Sequence, residues 1–306
     1  MRDHVTAYAP GSVGNVGPGL DILGLAISGV GDEVTLTWRD DLDVVIADAG
    51  HQELPSDPAY HSAAIAAAAV LRRTRVARGI TLWIRKGLPL SGGQGGSAAS
   101  AVAGAVAANH LADAKLGAAE LLECALEAES KVAGRHADNI APSLLGGLVL
   151  VRSMAPIDVI RLPVPASLRV VLVHPDQQLR TRDARGVLPQ SVPRDLALAQ
   201  AANIAAMVAG ACLGDLALLG RGLEDQIAEP ARRHLLPGFP EAQAAARAAG
   251  ALGCSISGAG PTVFALVDSE ECGELVAERM LAAYAKSGVK AVARVAAVDL
   301  EGATVK

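Results

Sequence analysis

Gly87-Leu88-Pro89-Leu90-Ser91-Gly92-Gly93-Gln94-Gly95-Gly96-Ser97-Ala98-Ala99-Ser100 is the stretch on which the reading of this chain turns. Ahead of it Ile80-Thr81-Leu82-Trp83-Ile84 alternates as a strand, and behind it small helix-forming residues run from Ser97 to Leu111. Five of the ten residues from Gly87 to Gly96 are glycine. Without a Cβ, successive backbone N–H groups can converge on one point, and the positive end of the following helix favours an anion there. The stretch reads as a phosphate cradle or, on the plainer alternative, as a flexible loop that permits close helix packing. Its spacing fits neither G-x-x-x-x-G-K-[ST] nor the dinucleotide turn G-x-G-x-x-G.

Outward from this loop, β-type and Ala-rich helical runs interleave. Strands are expected at Val34–Trp38, Asp43–Ile46, Leu148–Arg152 and Leu168–Val173, and helices at about 60–73 and 118–132. The proline-bearing stretch Pro156–Pro165 places a domain boundary near 158/159. Beyond it, helices are expected at about 194–213, 216–227, 240–252 and 270–287, with strands at Cys254–Ser257, Thr262–Val267 and Val289–Val298. That count suits an α+β chain whose second half is a small antiparallel sheet with helices on one face.

Two more glycine clusters stand apart from the first. Ser257-Gly258-Ala259-Gly260-Pro261-Thr262 lies between two strand-like runs and taken alone reads as a hairpin turn. Ala9-Pro10-Gly11-Ser12-Val13-Gly14-Asn15-Val16-Gly17-Pro18-Gly19-Leu20-Asp21 reads as a loop that turns several times, with Asn15 and Asp21 stabilising turns on the plainer view.

Composition narrows the function classes. The 306 residues are 51% hydrophobic but only 2% aromatic, so the core must be filled by Ala, Val, Leu and Ile, and aromatic stacking platforms for single-stranded nucleic acid are hard to build. The net charge of −5 argues against a phosphate-backbone partner as well. The polar start and the interrupted Ala-rich runs suggest neither a targeting signal nor a membrane span, and a cytoplasmic protein is expected. Cys124, Cys212, Cys254 and Cys272 are widely spaced and read as buried thiols. No G-x-S-x-G elbow occurs, which disfavours a serine hydrolase.

Together the three clusters resemble the three motifs of the GHMP small-molecule kinases. Pro89–Ala99 is similar to the nucleotide loop P-x-x-x-G-L-G-S-S-A-A, Ala9–Gly24 to the opening motif, and Ser257–Thr262 to the C-terminal glycine motif. His136-Ala137-Asp138-Asn139-Ile140-Ala141-Pro142, Arg180–Pro189 and Asp225–Arg232 resemble signatures of the homoserine-using branch, in order along nearly the whole chain. The resemblance implies a two-domain GHMP kinase fold of the α+β class, with a ribosomal-protein-like N-terminal domain over residues 1–158, a ferredoxin-like C-terminal domain over 159–306, and the active site between them. It also implies ATP-dependent, Mg²⁺-assisted phosphorylation of the L-homoserine hydroxyl to O-phospho-L-homoserine, on the route to threonine.

Residue roles follow from the same resemblance. Pro89, Leu90, Ser91, Gly92, Gly93, Gln94, Gly95, Gly96, Ser97, Ala98 and Ala99 would wrap the nucleotide, with His61 beside the adenine. Ser97 and Glu129 would hold Mg²⁺, with Glu127 as the competing carboxylate. Asn15, Asp21, His136, Thr181, Arg185, Arg232 and Gly258 would bind the amino acid. The two arginines would clamp its carboxylate, because a guanidinium forks onto a carboxylate with two charge-assisted bonds. Asp21, Asn15 and Arg185 are the expected catalytic group, with no general base assigned. Two departures from the family pattern are Gly96, where a serine is usual, and His61, where an asparagine is usual. The competing readings are a GHMP kinase for another alcohol and a catalytically silent nucleotide-binding protein. Expected partners are ATP and L-homoserine, with no nucleic acid and no membrane, and a homodimer is an open alternative.

Overall fold

A computed structural model describes residues 3–306. The first sheet has the order β11-β1-β2-β4-β3, with β5 and β6 continuing from β2. Its strands are β1 (His4–Gly14), β2 (Leu23–Trp38), β3 (Val44–Asp48), β4 (Ile80–Arg85), β5 (Leu148–Met154), β6 (Ile157–Leu162) and β11 (Thr304–Val305). One face carries α1 (Ser62–Thr74), α2 (Gly96–Leu111), α3 (Ala118–Val132) and α4 (Ile140–Leu145). Alanines let these helices approach closely: a Cβ on Gly104 of α2 would stand 2.4 Å from the Ala63 carbonyl of α1. The low aromatic content is thus the packing rule of this layer.

The second sheet, β10-β7-β9-β8, is antiparallel throughout, from β7 (Arg169–Pro175), β8 (Gly253–Ile256), β9 (Val263–Val267) and β10 (Ala291–Ala297). Its inner strand β9, Val263-Phe264-Ala265-Leu266-Val267, is an unbroken apolar run because both of its faces are covered, while the edge strand β10 carries Arg294 and an exposed Val292. Val263, Ala265 and Val267 face α9 (Phe239–Ala248) and α10 (Glu270–Lys286), where Phe239, Met280 and Tyr284 are buried. On the other face Phe264 and Leu266 join Leu23, Leu25 and Ile27 of the first sheet and Met207 and Ala211 of α6 (Arg194–Leu213). Three short helices complete the chain, α5 (Thr181–Gly186), α7 (Leu216–Arg221) and α8 (Ala228–Arg232).

Several expectations change. A cut at 158/159 would fall inside β6, which pairs with β5 in the first sheet; the chain crosses to the second sheet over 163–168, and β11 returns to the first. The first part of the Gly/Pro cluster at 9–21 is not a loop: β1 runs through it to Gly14 with a bulge between Pro10 and Gly11, and the turns expected there begin only at Asn15. A neighbouring glycine, Gly24, is dictated by space, since a Cβ there would lie 1.7 Å from the Asp138 carbonyl. The helix expected over 216–227 stops at Arg221, and a second one begins at Ala228, where Asp225 caps it by accepting the N–H groups of Ile227 at 2.9 Å, Ala228 at 3.0 Å and Glu229 at 2.8 Å. Of the four cysteines, Cys124 and Cys254 are buried, but Cys212 is exposed and Cys272 intermediate. Finally, α6 is long and apolar enough to cross a membrane by length and composition, contrary to the reading of interrupted runs. Here it packs through Gln200, Met207 and Ala211, while Leu198 and Leu213 point to solvent.

Candidate active site

The glycine loop leaves β4 and enters α2 beside a cavity of about 370 Å³. Gly93 and Gly95 have φ of 72° and 70°, in the left-handed region. A Cβ on Gly93 would meet the Ser257 carbonyl at 2.5 Å, and one on Gly95 would meet Ser12 Oγ at 2.2 Å. Gly96 is different: nothing lies nearer than 3.5 Å to its would-be Cβ. The N-terminus of α2 carries no side-chain cap, so its first-turn N–H groups remain for a ligand.

The C-terminal glycine turn supports this loop across the interface between the sheets. Ser257 Oγ donates to Gly93 O at 2.6 Å and Thr262 Oγ1 to Gly92 O at 2.5 Å. Gly258 N donates to Gly14 O at 2.9 Å, and Asn15 Nδ2 donates to Gly258 O at 2.9 Å. All three glycine clusters therefore meet at one place, and Ser257–Thr262 does more than close a hairpin.

Pro89, Leu90, Ser91, Gly92, Gly93, Gly95, Gly96 and Ser97 all line the cavity. Gln94 does not; its side chain turns away, donating to Thr262 Oγ1 at 3.3 Å and accepting from Arg294 at 3.2 Å. The Ala98 and Ala99 side chains lie in the core, and Ala99 N–H is spent on Gly95 O, so of the alanines only the Ala98 N–H remains for a ligand. His61 lines the cavity but is buried as the N-cap of α1, its Nδ1 accepting from Ala63 N at 3.3 Å while Nε2 lies 3.4 Å from Ala49 O. Burial holds its imidazole below the usual range, so it is neutral near pH 7. Tyr60, 69% exposed, lines the same cavity with Leu54 and Pro55, and the sequence did not single it out.

Glu127 and Glu129 separate cleanly. Glu127 is on the outer face of α3, paired with Arg72 at 2.7 Å. Glu129 is buried in the cavity wall, its Oε1 accepting from Ser97 Oγ at 3.1 Å and its Oε2 without any partner. Burial, against the opposing Ser97 hydrogen bond, pushes its carboxyl up to about 7. A buried carboxylate oxygen with no donor, next to a hydroxyl and a phosphate loop, is a donor set that suits a hard divalent cation.

At the other end of the cavity the substrate-side residues gather. Asn15 and Asp21, both at positive φ (54° and 58°), are locked together by Asp21 N–H donating to Asn15 Oδ1 at 2.8 Å. Asp21 is held two-point by Arg185, at 2.5 and 3.1 Å. Arg232 is 2% exposed; its Nε donates to Ala184 O at 3.0 Å and one terminal nitrogen to Gly258 O at 3.1 Å. Its other terminal nitrogen is buried without a partner. Of the two expected carboxylate clamps, then, Arg232 keeps an unpartnered terminal nitrogen, while Arg185 spends both terminal nitrogens on Asp21 and leaves only its Nε unpartnered. His136 and Thr181 line the same end, and burial, then Arg185, lowers the His136 pKa.

Residues not singled out from the sequence also sit here. Asp138 is buried, accepts Asn15 N–H at 2.9 Å, and is pushed up to about 7 by burial and then by Asp21. Asn139 accepts from Ser12 Oγ at 2.9 Å. Both lie in the quoted 136–142 segment, which was the available signal; Lys86 and Asp32, below, had none.

Residues 61–147 match the GHMP kinases N terminal domain and residues 203–286 the GHMP kinases C terminal domain. The chain belongs to the GHMP kinase family. It is 42% identical to the homoserine kinase of Chlorobaculum tepidum, an alignment covering 92% of this chain and 91% of that one. Against the homoserine kinase of Arabidopsis thaliana it is 43% identical over 98% of this chain and 84% of the relative. The crystal structure of homoserine kinase from Cytophaga hutchinsonii superposes with a TM-score of 0.96 at 40% identity, covering 100% of this chain and 98% of the other.

Proposed function

We propose that this chain is a homoserine kinase, transferring the γ-phosphoryl group of ATP to the side-chain hydroxyl of L-homoserine to give O-phospho-L-homoserine and ADP. The observation that carries the reading is the open guanidinium donor of Arg232 in the same cavity as the phosphate loop. A carboxylate receptor beside a phosphate cradle is what an amino-acid kinase needs; a sugar would leave that donor unpaired, and a hydroxy acid without an ammonium group would leave Asp21 without its counterpart.

Phosphoryl transfer asks mainly for alignment and charge stabilisation. The α2 N-terminus and the loop N–H groups hold the phosphates, and Tyr60, Leu54 and Pro55 flank the base. Ser97 and Glu129 fit Mg²⁺, which when bound spreads the phosphate charge. Arg232 takes the α-carboxylate. Asp21, fixed by Arg185 and Asn15, presents a carboxylate to the ammonium end, and the hydroxyl loses its proton late in a loose transition state without an assigned base. A cytoplasmic setting on the route to threonine, with a homodimer as an open alternative, completes the proposal.

ATP-dependent turnover of L-homoserine, with the product identified by phosphorus NMR and with L-serine and L-threonine as controls, tests the reading. No phosphorylated product in the presence of Mg²⁺ sinks it. Asp21→Asn is expected to lower kcat/KM for L-homoserine by about 100-fold, because it removes both the charge and the two-point hold on Arg185. A near wild-type kcat/KM in that variant would remove Asp21 from the site.

A further inference from the structure

Beneath the phosphate loop lies a buried charge pair that the reaction described above does not use. Asp32, on β2, has no solvent exposure. Its Oδ2 accepts from the Lys86 ammonium and from Ser100 Oγ at 2.7 Å. Its Oδ1 accepts the backbone N–H groups of Gly87 at 3.1 Å and Leu88 at 3.4 Å. Lys86 Nζ also donates to Gly96 O and Ser100 Oγ, both at 3.0 Å.

These partners come from both ends of one loop. Residues 86–88 lead into it, while Gly96 and Ser100 lie in the first turns of α2. A single carboxylate from a different strand therefore clasps the loop shut, and every donor of the ammonium finds an acceptor. Removing one member of such a pair leaves the other buried and uncompensated, so the unit acts as a whole. Lys86 lines the nucleotide cavity, and Gly96 places no side chain beside its ammonium; a Cβ there would stand 3.5 Å from Nζ.

We propose that Asp32 is a positioning residue for nucleotide binding, holding Lys86 and both ends of the phosphate loop in the geometry that ATP meets. The proposal rests on the kinase reading, and it predicts an effect confined to the nucleotide side. It is tested by steady-state kinetics of D32N, K86M and the double variant, with KM for ATP and for L-homoserine measured separately. Each single variant is expected to raise the ATP KM about 10-fold and to leave the L-homoserine KM within about 2-fold. The double variant is expected to be no worse than the worse single one, because both act through one unit.

Calorimetric binding of a non-hydrolysable ATP analogue should weaken by a similar factor. An unchanged ATP KM, an equal rise in both KM values, or full additivity in the double variant overturns the proposal. If D32N fails to fold, Ser100→Ala, which removes the hydrogen bonds to Asp32 and from Lys86 but no charge, decides instead. It is expected to raise the ATP KM about 3-fold with the L-homoserine KM unchanged, and no change there overturns the proposal too. Absence of wild-type turnover overturns the kinase reading alone, since analogue binding still reports on Asp32.

Discussion

Glu129→Gln will yield a folded protein that is more stable than the wild type at pH 8 and at least about 100-fold slower in kcat/KM for L-homoserine. The two effects have one cause. Glu129 is buried with an oxygen that no protein group satisfies, and burial raises its carboxyl from 4.5 to about 7. The unfolded chain releases that proton near 4.5 and the folded chain only near 7, so between those values the folded state binds more protons. The contribution of Glu129 to stability is therefore fully retained below about 4.5, declines as pH rises, and is lost above about 7. At pH 8 the charged form costs on the order of 3 kcal/mol, which glutamine removes while keeping the shape. Denaturant unfolding of the nucleotide-free proteins should show the variant ahead at pH 8 and the two converging towards pH 4.5. Asp138 is raised in the same way, and because its charge adds to the cost of ionising Glu129, the glutamine removes that repulsion as well. A variant that is less stable at pH 8, or that keeps wild-type turnover, would remove Glu129 from the cation site. The expense of the bare carboxylate is intelligible if Mg²⁺ and ATP oxygens complete its surroundings during the reaction.

Glu127 and Glu129 also show where sequence reading runs out. Two positions apart on a helix are roughly 200° apart around its axis, so the pair cannot share a face. Which of them faces inward depends on how α3 rolls against α1 and α2, a tertiary fact. The phosphate loop was legible because its chemistry is local: a strand, a run of glycines and a helix start follow one another in the chain. The Asp21–Arg185 pair spans 164 residues and the Asp32–Lys86 pair 54, and no local pattern marks either as a partner of the other. Turn chemistry misled at 9–14, where glycines serve close approach within a paired strand, and at 222–227, where the chain leaves α7 and Asp225 caps the start of α8. Family resemblance filled much of this gap for the substrate residues. It placed both Arg185 and Arg232 on the carboxylate, whereas in the structure Arg185 is paired with Asp21 and Arg232 is anchored to backbone carbonyls.

That division yields the second large effect. Arg232→Lys is expected to raise the L-homoserine KM by about 100-fold, because an ammonium cannot reproduce a fork whose Nε and one terminal nitrogen are already anchored to Ala184 O and Gly258 O. Those anchors aim the remaining nitrogen, so a more flexible cation loses direction even though charge is kept. The Gly258 anchor also touches the turn that supports Gly93, and a modest rise in the ATP KM would not be surprising on that ground. Separating the two contributions requires changing the substrate rather than the protein again. 2-Amino-1,4-butanediol keeps the ammonium and the reacting hydroxyl but lacks the carboxylate. Wild-type enzyme should prefer L-homoserine over this diol by about 100-fold or more, since the diol replaces a charge-assisted carboxylate pair with at most one neutral hydroxyl acceptor beside a buried guanidinium. In Arg232→Lys the preference should shrink to within about 10-fold, with the loss falling on L-homoserine rather than as a gain for the diol. If the variant keeps the wild-type preference, the carboxylate is recognised elsewhere. Arg185 would then have to leave Asp21 on substrate binding, and Arg185→Lys would show the collapse instead.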